Sequence, residues 1–274
     1  MTRRRLVVAT AVLFSPAWLV AQSPEPSAPQ PGPSARGVEP RADQELQRMG
    51  SFLAKTGRFA FEAEETFTVI EDREPKIDLT TIRRVAIVRP NRAAADTTGD
   101  TLNRASWYDG KSLTILDKEH NTYAVLDAAP TIDRTLDKME DEYGVVLPLT
   151  DILYSDPYAV LIQKVNYGRY LGLHLAAGVQ CHHLVFAQDT IEWQIWIDAG
   201  ERPVPRKLVI TYVSEPGEPE YTAILRRWRL NPDLPDKLFV FEPPEGARRV
   251  DAKELKFPGQ GSKPAQVPGP KGGR

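Results

Sequence analysis

From residue 59 onward the chain alternates. Odd positions read Phe59, Phe61, Ala63, Glu65, Phe67 and Val69, and even positions read Ala60, Glu62, Glu64, Thr66, Thr68 and Ile70. Side chains of a strand point alternately to its two faces, so this spacing predicts one long, half-buried strand with a wet face. Residues 77–88 repeat the pattern with Leu79, Val85 and Ile87 on one side, and Pro90 and Asn91 end the run. Upstream the period is helical. Leu46, Met49 and Leu53 recur on one stripe that Phe52 widens, which predicts a helix over 41–55 stopped at Gly57.

Hairpin signals come next. Asp109-Gly110 stands between strand-like flanks and easily adopts the positive φ angles of a tight turn. Residues 112–116 and 122–126 read as short strands around the polar turn 117–121. A helical insert over about 131–164 then interrupts the sheet. Ile132, Leu136, Met139 and Tyr143 share a helical stripe, 149–153 predicts a shorter helix, and Pro157 suits a first helical position. Further strands are predicted at 167–174, 181–187, 192–198, 207–213 and 221–230, with a last one at 238–241 before Pro243-Pro244. About ten antiparallel strands with grouped helices make an α+β protein. A sheet of that size curls or closes, and helices can cover its concave side.

The chain has 274 residues, and its ends read differently from its middle. Arg3-Arg4-Arg5 precedes an apolar run, Leu6 to Ala21, that falls short of the roughly 20 residues of a membrane-spanning helix. Residues 1–21 are therefore expected to be a cleavable export signal with the periplasm as destination, a retained anchor being the less favoured reading. Residues 22–40 hold six prolines and read as a disordered linker, and residues 251–274 repeat that Pro/Gly-rich composition as a disordered tail. One domain, 41–250, remains. Without Arg3, Arg4 and Arg5 the 35 Lys and Arg fall to 32 against 37 Asp and Glu, a net charge of −5. That balance argues against a nucleic-acid partner.

Candidate chemistry is sparse. Cys181 is the sole cysteine, so no intrachain disulfide forms, and its commonest role is that of a small buried hydrophobe. In Cys181-His182-His183, alternation puts Cys181 and His183 on one face and His182 on the other. A metal would need His174 as a third ligand, so none is expected. There is no Gly-x-Ser-x-Gly elbow and no phosphate-binding glycine loop. Glu62, Glu64 and Glu65 read as a solvated face rather than as paired acid–base carboxylates. No catalytic residue and no cofactor are assigned, and the protein is not expected to be an enzyme. Trp193 and Trp196 fall on opposite faces of one strand, Trp193 with Ile195 and Ile197. Arg226, Arg227 and Arg229 flank Trp228 and read as a wet outer face, although arginine beside an aromatic can also bind an anionic head group.

Several blocks taken together resemble a family of predicted periplasmic proteins of unknown function. They are Trp107-Tyr108-Asp109-Gly110-Lys111, the stretch from Leu147-Pro148-Leu149-Thr150-Asp151 to Asp156-Pro157, and Trp193-Gln194-Ile195-Trp196-Ile197-Asp198 followed by residues 203–212. The ending from Leu234-Pro235-Asp236 through Phe241-Glu242-Pro243-Pro244 to Ala247 resembles that of the wider LolA/LolB-like lipoprotein-carrier superfamily, which includes the sensor RseB. The resemblance implies a strongly curved, incomplete β-barrel with helices covering its concave face and a cavity for acyl chains. At Ala176 and Ala177 this chain departs from relatives, which usually carry acidic residues there.

The resulting expectation is a carrier or binding protein for a lipid, acyl chain or lipoprotein held between curved sheet and helices. Phe59, Phe61, Phe67, Trp193 and Ile195 are its candidate lining. The alternative is an envelope sensor that binds a membrane protein partner without catalysis. Alternation separates two faces but does not say which one is inside.

Overall fold

The computed structural model describes residues 37–69, 75–100, 102–145 and 148–255. The expected export signal, most of the Pro-rich linker and the tail from 256 lie outside the described residues. Among the described residues no helix is long and apolar enough to cross a membrane.

Twelve strands form one sheet: β1 (Arg58–Val69), β2 (Ile77–Val88), β3 (Arg92–Gly99), β4 (Arg104–Tyr108), β5 (Ser112–Asp117), β6 (Thr122–Asp127), β7 (Tyr167–Ala176), β8 (Val179–Ala187), β9 (Glu192–Asp198), β10 (Pro205–Thr211), β11 (Glu220–Leu230) and β12 (Arg248–Arg249). Their order is β12-β6-β5-β4-β3-β2-β1-β11-β10-β9-β8-β7, so β12 and β7 are edge strands and the sheet does not close. All pairings are antiparallel except the two-residue β12–β6 contact. The architecture is the expected α+β one, a curved, incompletely closed sheet with few helices.

Helices α1 (Pro40–Lys55), α2 (Ile132–Tyr143) and α3 (Pro157–Ile162), with a 3₁₀ turn at Thr150–Leu153, lie on the concave face. There Ala42, Leu46, Met49 and Leu53 of α1 join Phe59 and Phe61 of β1, Leu184 and Phe186 of β8, and Ile195 and Ile197 of β9 in one core. The helix ends are locally determined. Pro40 opens α1, the Thr131 Oγ1 accepts from the Arg134 amide at 3.3 Å, and Gly144 closes α2 in the left-handed region. Asp156 caps α3 by accepting from the Ala159 amide at 3.1 Å. α1 and α3 approach closely at Gly50, where an added Cβ would come within 2.6 Å of the Tyr158 Cβ.

The structure corrects several expectations. β3, Arg-Ala-Ala-Ala-Asp-Thr-Thr-Gly, was not predicted, because it lacks the bulky apolar positions that mark a strand. Residues 238–241 do not form a strand. A 3₁₀ turn, Asp236–Phe239, places Phe239 in a bed of small residues, Ala60, Ala86 and Ala94, on the convex face. Arg92 fixes it through an ion pair with Asp236. Contacts with the sheet also reach beyond residues 41–250. Val38 bridges to Gly168 beside β7, and Leu255 is buried against β5, β6 and α2.

Candidate functional site

Residue size hollows the space above the sheet. One register row crosses β1 to β6 as Phe59, Ile87, Ala93, Tyr108, Leu113 and Leu126. The next reads Phe61, Val85, Ala95, Ser106, Ile115 and Ala124. Small side chains at Ala93, Ala95 and Ser106 keep the floor low in the middle of both rows. A cavity of about 230 Å³ results, roofed by Ile132, Leu136 and Met139 of α2 and by Leu149 and Leu153 around the 3₁₀ turn.

The third row is polar: Ala63, Arg83, Thr97, Arg104, Asp117 and Thr122. Arg83, Thr97 and Arg104 of this row line one end of the cavity together with Glu65 and Tyr221. Arg83 Nε donates to Glu65 Oε1 at 2.6 Å and Nη2 to Oε2 at 3.1 Å, with both side chains largely buried. Burial works against the Arg83 charge, but the Glu65 carboxylate outweighs it and holds the guanidinium above its usual range. Arg104 lies 3.9 Å from Asp117, and burial lowers its pKa against that carboxylate's opposing pull. The Tyr221 hydroxyl is buried and has no hydrogen-bond partner among the described residues. Burial first, then Glu65, pushes its pKa well above the ordinary phenol value.

The roof carries acids. Tyr154 donates its hydroxyl to Asp137 at 2.9 Å, and the Ser155 amide donates to Asp133 at 3.0 Å, tying the 3₁₀ turn to α2. Arg89 Nη1 donates to the Leu153 carbonyl at 2.7 Å and joins the turn to the end of β2. On the cavity wall, burial first and the nearby Glu140 second raise the Asp151 carboxyl from 3.8 to about 6, against a smaller opposing effect of Lys164. Between these two values the folded protein binds more protons than the unfolded chain. Asp151 therefore makes stability fall as pH rises from 3.8 to about 6, with the full penalty above that window. Asp151→Asn is expected to remove this slope and to stabilise the protein at neutral pH by on the order of 1–2 kcal/mol, partial solvent access being allowed for. Urea unfolding of both proteins at several pH values checks it. A variant no more stable than the parent at neutral pH counts against a desolvated Asp151.

Of the five residues predicted as lining, Phe61 stands on the cavity wall, stacked on Trp228 at 4.6 Å between ring centroids. Ile195 borders a separate hollow of about 10 Å³. Phe59 and Trp193 are core residues, Trp193 stacked on Phe186 at 4.3 Å. Phe67 is partly buried and tilts against Tyr212. Periodicity missed Ala93, Ala95 and Ser106, whose contribution is missing bulk. It also assigned Glu65 to a solvated face. Glu62 and Glu64 do pair outside with Arg84, Arg226 and Arg227, but Glu65 is buried. Its signal was its phase, odd like Phe59 and Phe61.

The histidines separate as alternation predicts. His183 contacts His174 at 2.8 Å and stacks on Trp196 on the outer face, whereas His182 meets Tyr170 and lies 3.7 Å from Glu45 of α1. Cys181 is fully buried, and burial raises its thiol to about 11. Among the described residues no group of three or more His, Cys, Asp or Glu is placed to hold a metal ion.

The family model described as predicted periplasmic protein (DUF2092) matches residues 42–252. No curated protein sequence matches the chain. Among solved structures it is similar to the Mycobacterium tuberculosis lipoprotein LppX, with a TM-score of 0.42 and 9% identity over 72% of this chain and 99% of that one. Similarity to a LolA superfamily protein from Nitrosomonas europaea has a TM-score of 0.38 and 10% identity over 73% and 97%. For the Pseudomonas aeruginosa MucA/MucB complex the values are 0.41 and 12% over 74% and 61%.

Proposed function

This chain belongs to the DUF2092 family of predicted periplasmic proteins, and from that premise we propose that it is a non-catalytic binding or carrier protein for a lipid or acyl chain in the cell envelope. The supporting observation is the cavity of about 230 Å³ between the concave sheet and the roof of α2 and the 3₁₀ turn, walled mostly by apolar side chains. It exceeds the ~150 Å³ that admits benzene in an apolar core and falls below the roughly 300–1,000 Å³ of drug-sized sites. One chain end, or a short chain, suits that volume. Each methylene buried contributes roughly 0.8 kcal/mol, so a few suffice for retention without specific polar chemistry.

A second reading rests on a different place. β7 is the last strand of the sheet; the Val38–Gly168 bridge covers its start, and beyond that bridge it presents Leu175, 75% exposed, and Leu173, 47% exposed. An extended segment of a membrane protein partner could add there as a strand. Native mass spectrometry after detergent-free purification separates the two. A co-purified acyl species, or uptake of one on incubation, is the result expected for the carrier. Empty protein that takes up no acyl compound and instead captures a membrane protein through β7 would replace the carrier reading with the second.

A further inference from the structure

We propose that the cavity, on the carrier reading above, selects an uncharged acyl ester over a free fatty acid, with the Tyr221 hydroxyl donating to the ester carbonyl. Tyr221 stands at the polar end of a mostly apolar space, and its hydroxyl is buried without a partner among the described residues. A buried donor left unmade is costly, and a carbonyl brought by the occupant supplies the acceptor.

The charges around it decide which kind of carbonyl. Arg83 is held in a two-point ion pair by Glu65, and Arg104 faces Asp117. The other charged wall residues, Glu140 and Asp151, are acids. Arg89 lies behind the roof turn, bound to the Leu153 carbonyl, and does not line the cavity; on the wall three acids, Glu65, Glu140 and Asp151, face two arginines, and an incoming anion would meet Glu65. A neutral ester escapes that repulsion and still accepts one hydrogen bond. The cavity volume suits one chain rather than the two chains of a phospholipid.

The test uses the purified full chain and Tyr221→Phe, each titrated with methyl decanoate, decanoate and decane and read by native mass spectrometry or calorimetry. The parent should bind methyl decanoate more tightly than the other two. Tyr221→Phe should lose roughly three- to tenfold in affinity for the ester and keep its affinity for decane. Its melting temperature should equal or exceed the parent's, because an unpaired buried hydroxyl is removed. Equal ester affinity in both proteins, or decanoate binding as tightly as the ester, overturns ester selection while leaving the carrier reading in place. Binding of neither ester nor decane to the parent overturns both.

Discussion

Ala95→Trp is expected to abolish acyl uptake while leaving a folded protein. Ala95 lies on the inward row between Val85 and Ser106, at the low centre of the floor. An indole at that position projects into a hollow of about 230 Å³ and occupies the space an acyl segment would take. Overfilling a tight core typically costs 1–3 kcal/mol, but here much of the added volume has room to enter, so stability should change by less than about 2 kcal/mol. Affinity for a methyl ester should fall at least about tenfold, equivalent to ~1.4 kcal/mol or more. Uptake by native mass spectrometry, with circular dichroism and melting as the fold control, decides it. Undiminished uptake by a folded variant would place the ligand elsewhere.

Arg83→Met should be the more damaging change for stability. It leaves Glu65, 7% exposed, inside the protein without its cation. Removing one partner of a buried pair typically costs 3–5 kcal/mol, because the remaining charge is uncompensated. The double variant Glu65→Gln with Arg83→Met should recover most of that loss, since nothing ionised remains to be desolvated. Urea unfolding of the two single variants and the double variant gives the coupling directly. A loss below about 1 kcal/mol in Arg83→Met would mean that water reaches Glu65 freely.

Much of the fold could be read from period alone. β1, β9 and α1 each carry a bulky apolar stripe, and such stripes separate a period of 2 from one of 3.6. β3 could not be read this way. Its inward residues are Ala93, Ala95 and Thr97, and small side chains leave no hydrophobic signal. The same smallness makes the cavity, so the stretch with the weakest strand signal is the one that shapes the candidate site. Phe239 shows the opposite error. Its apolar run resembled a strand, but its partners are the small convex-face residues Ala60, Ala86 and Ala94, which no local pattern links to it. Glu65 and Arg83 were legible in principle. Each carries its charge in phase with the apolar residues of its own strand, and two such charges on neighbouring strands mark an internal ion pair. Bringing Glu65, Arg83 and Tyr221 together at one end of the cavity needed the register across three strands, which alternation within single strands does not supply.

The central position of β1 bears on how the chain is made. β1 pairs on one side with β2, a near neighbour, and on the other with β11, where Glu62 and Arg227 stand 165 positions apart. The sheet's two halves therefore join late, once almost the whole chain is available. Until then β1 offers one bare flank rich in phenylalanine to any strand it meets. Such remote pairing slows folding and leaves sticky intermediates open to aggregation.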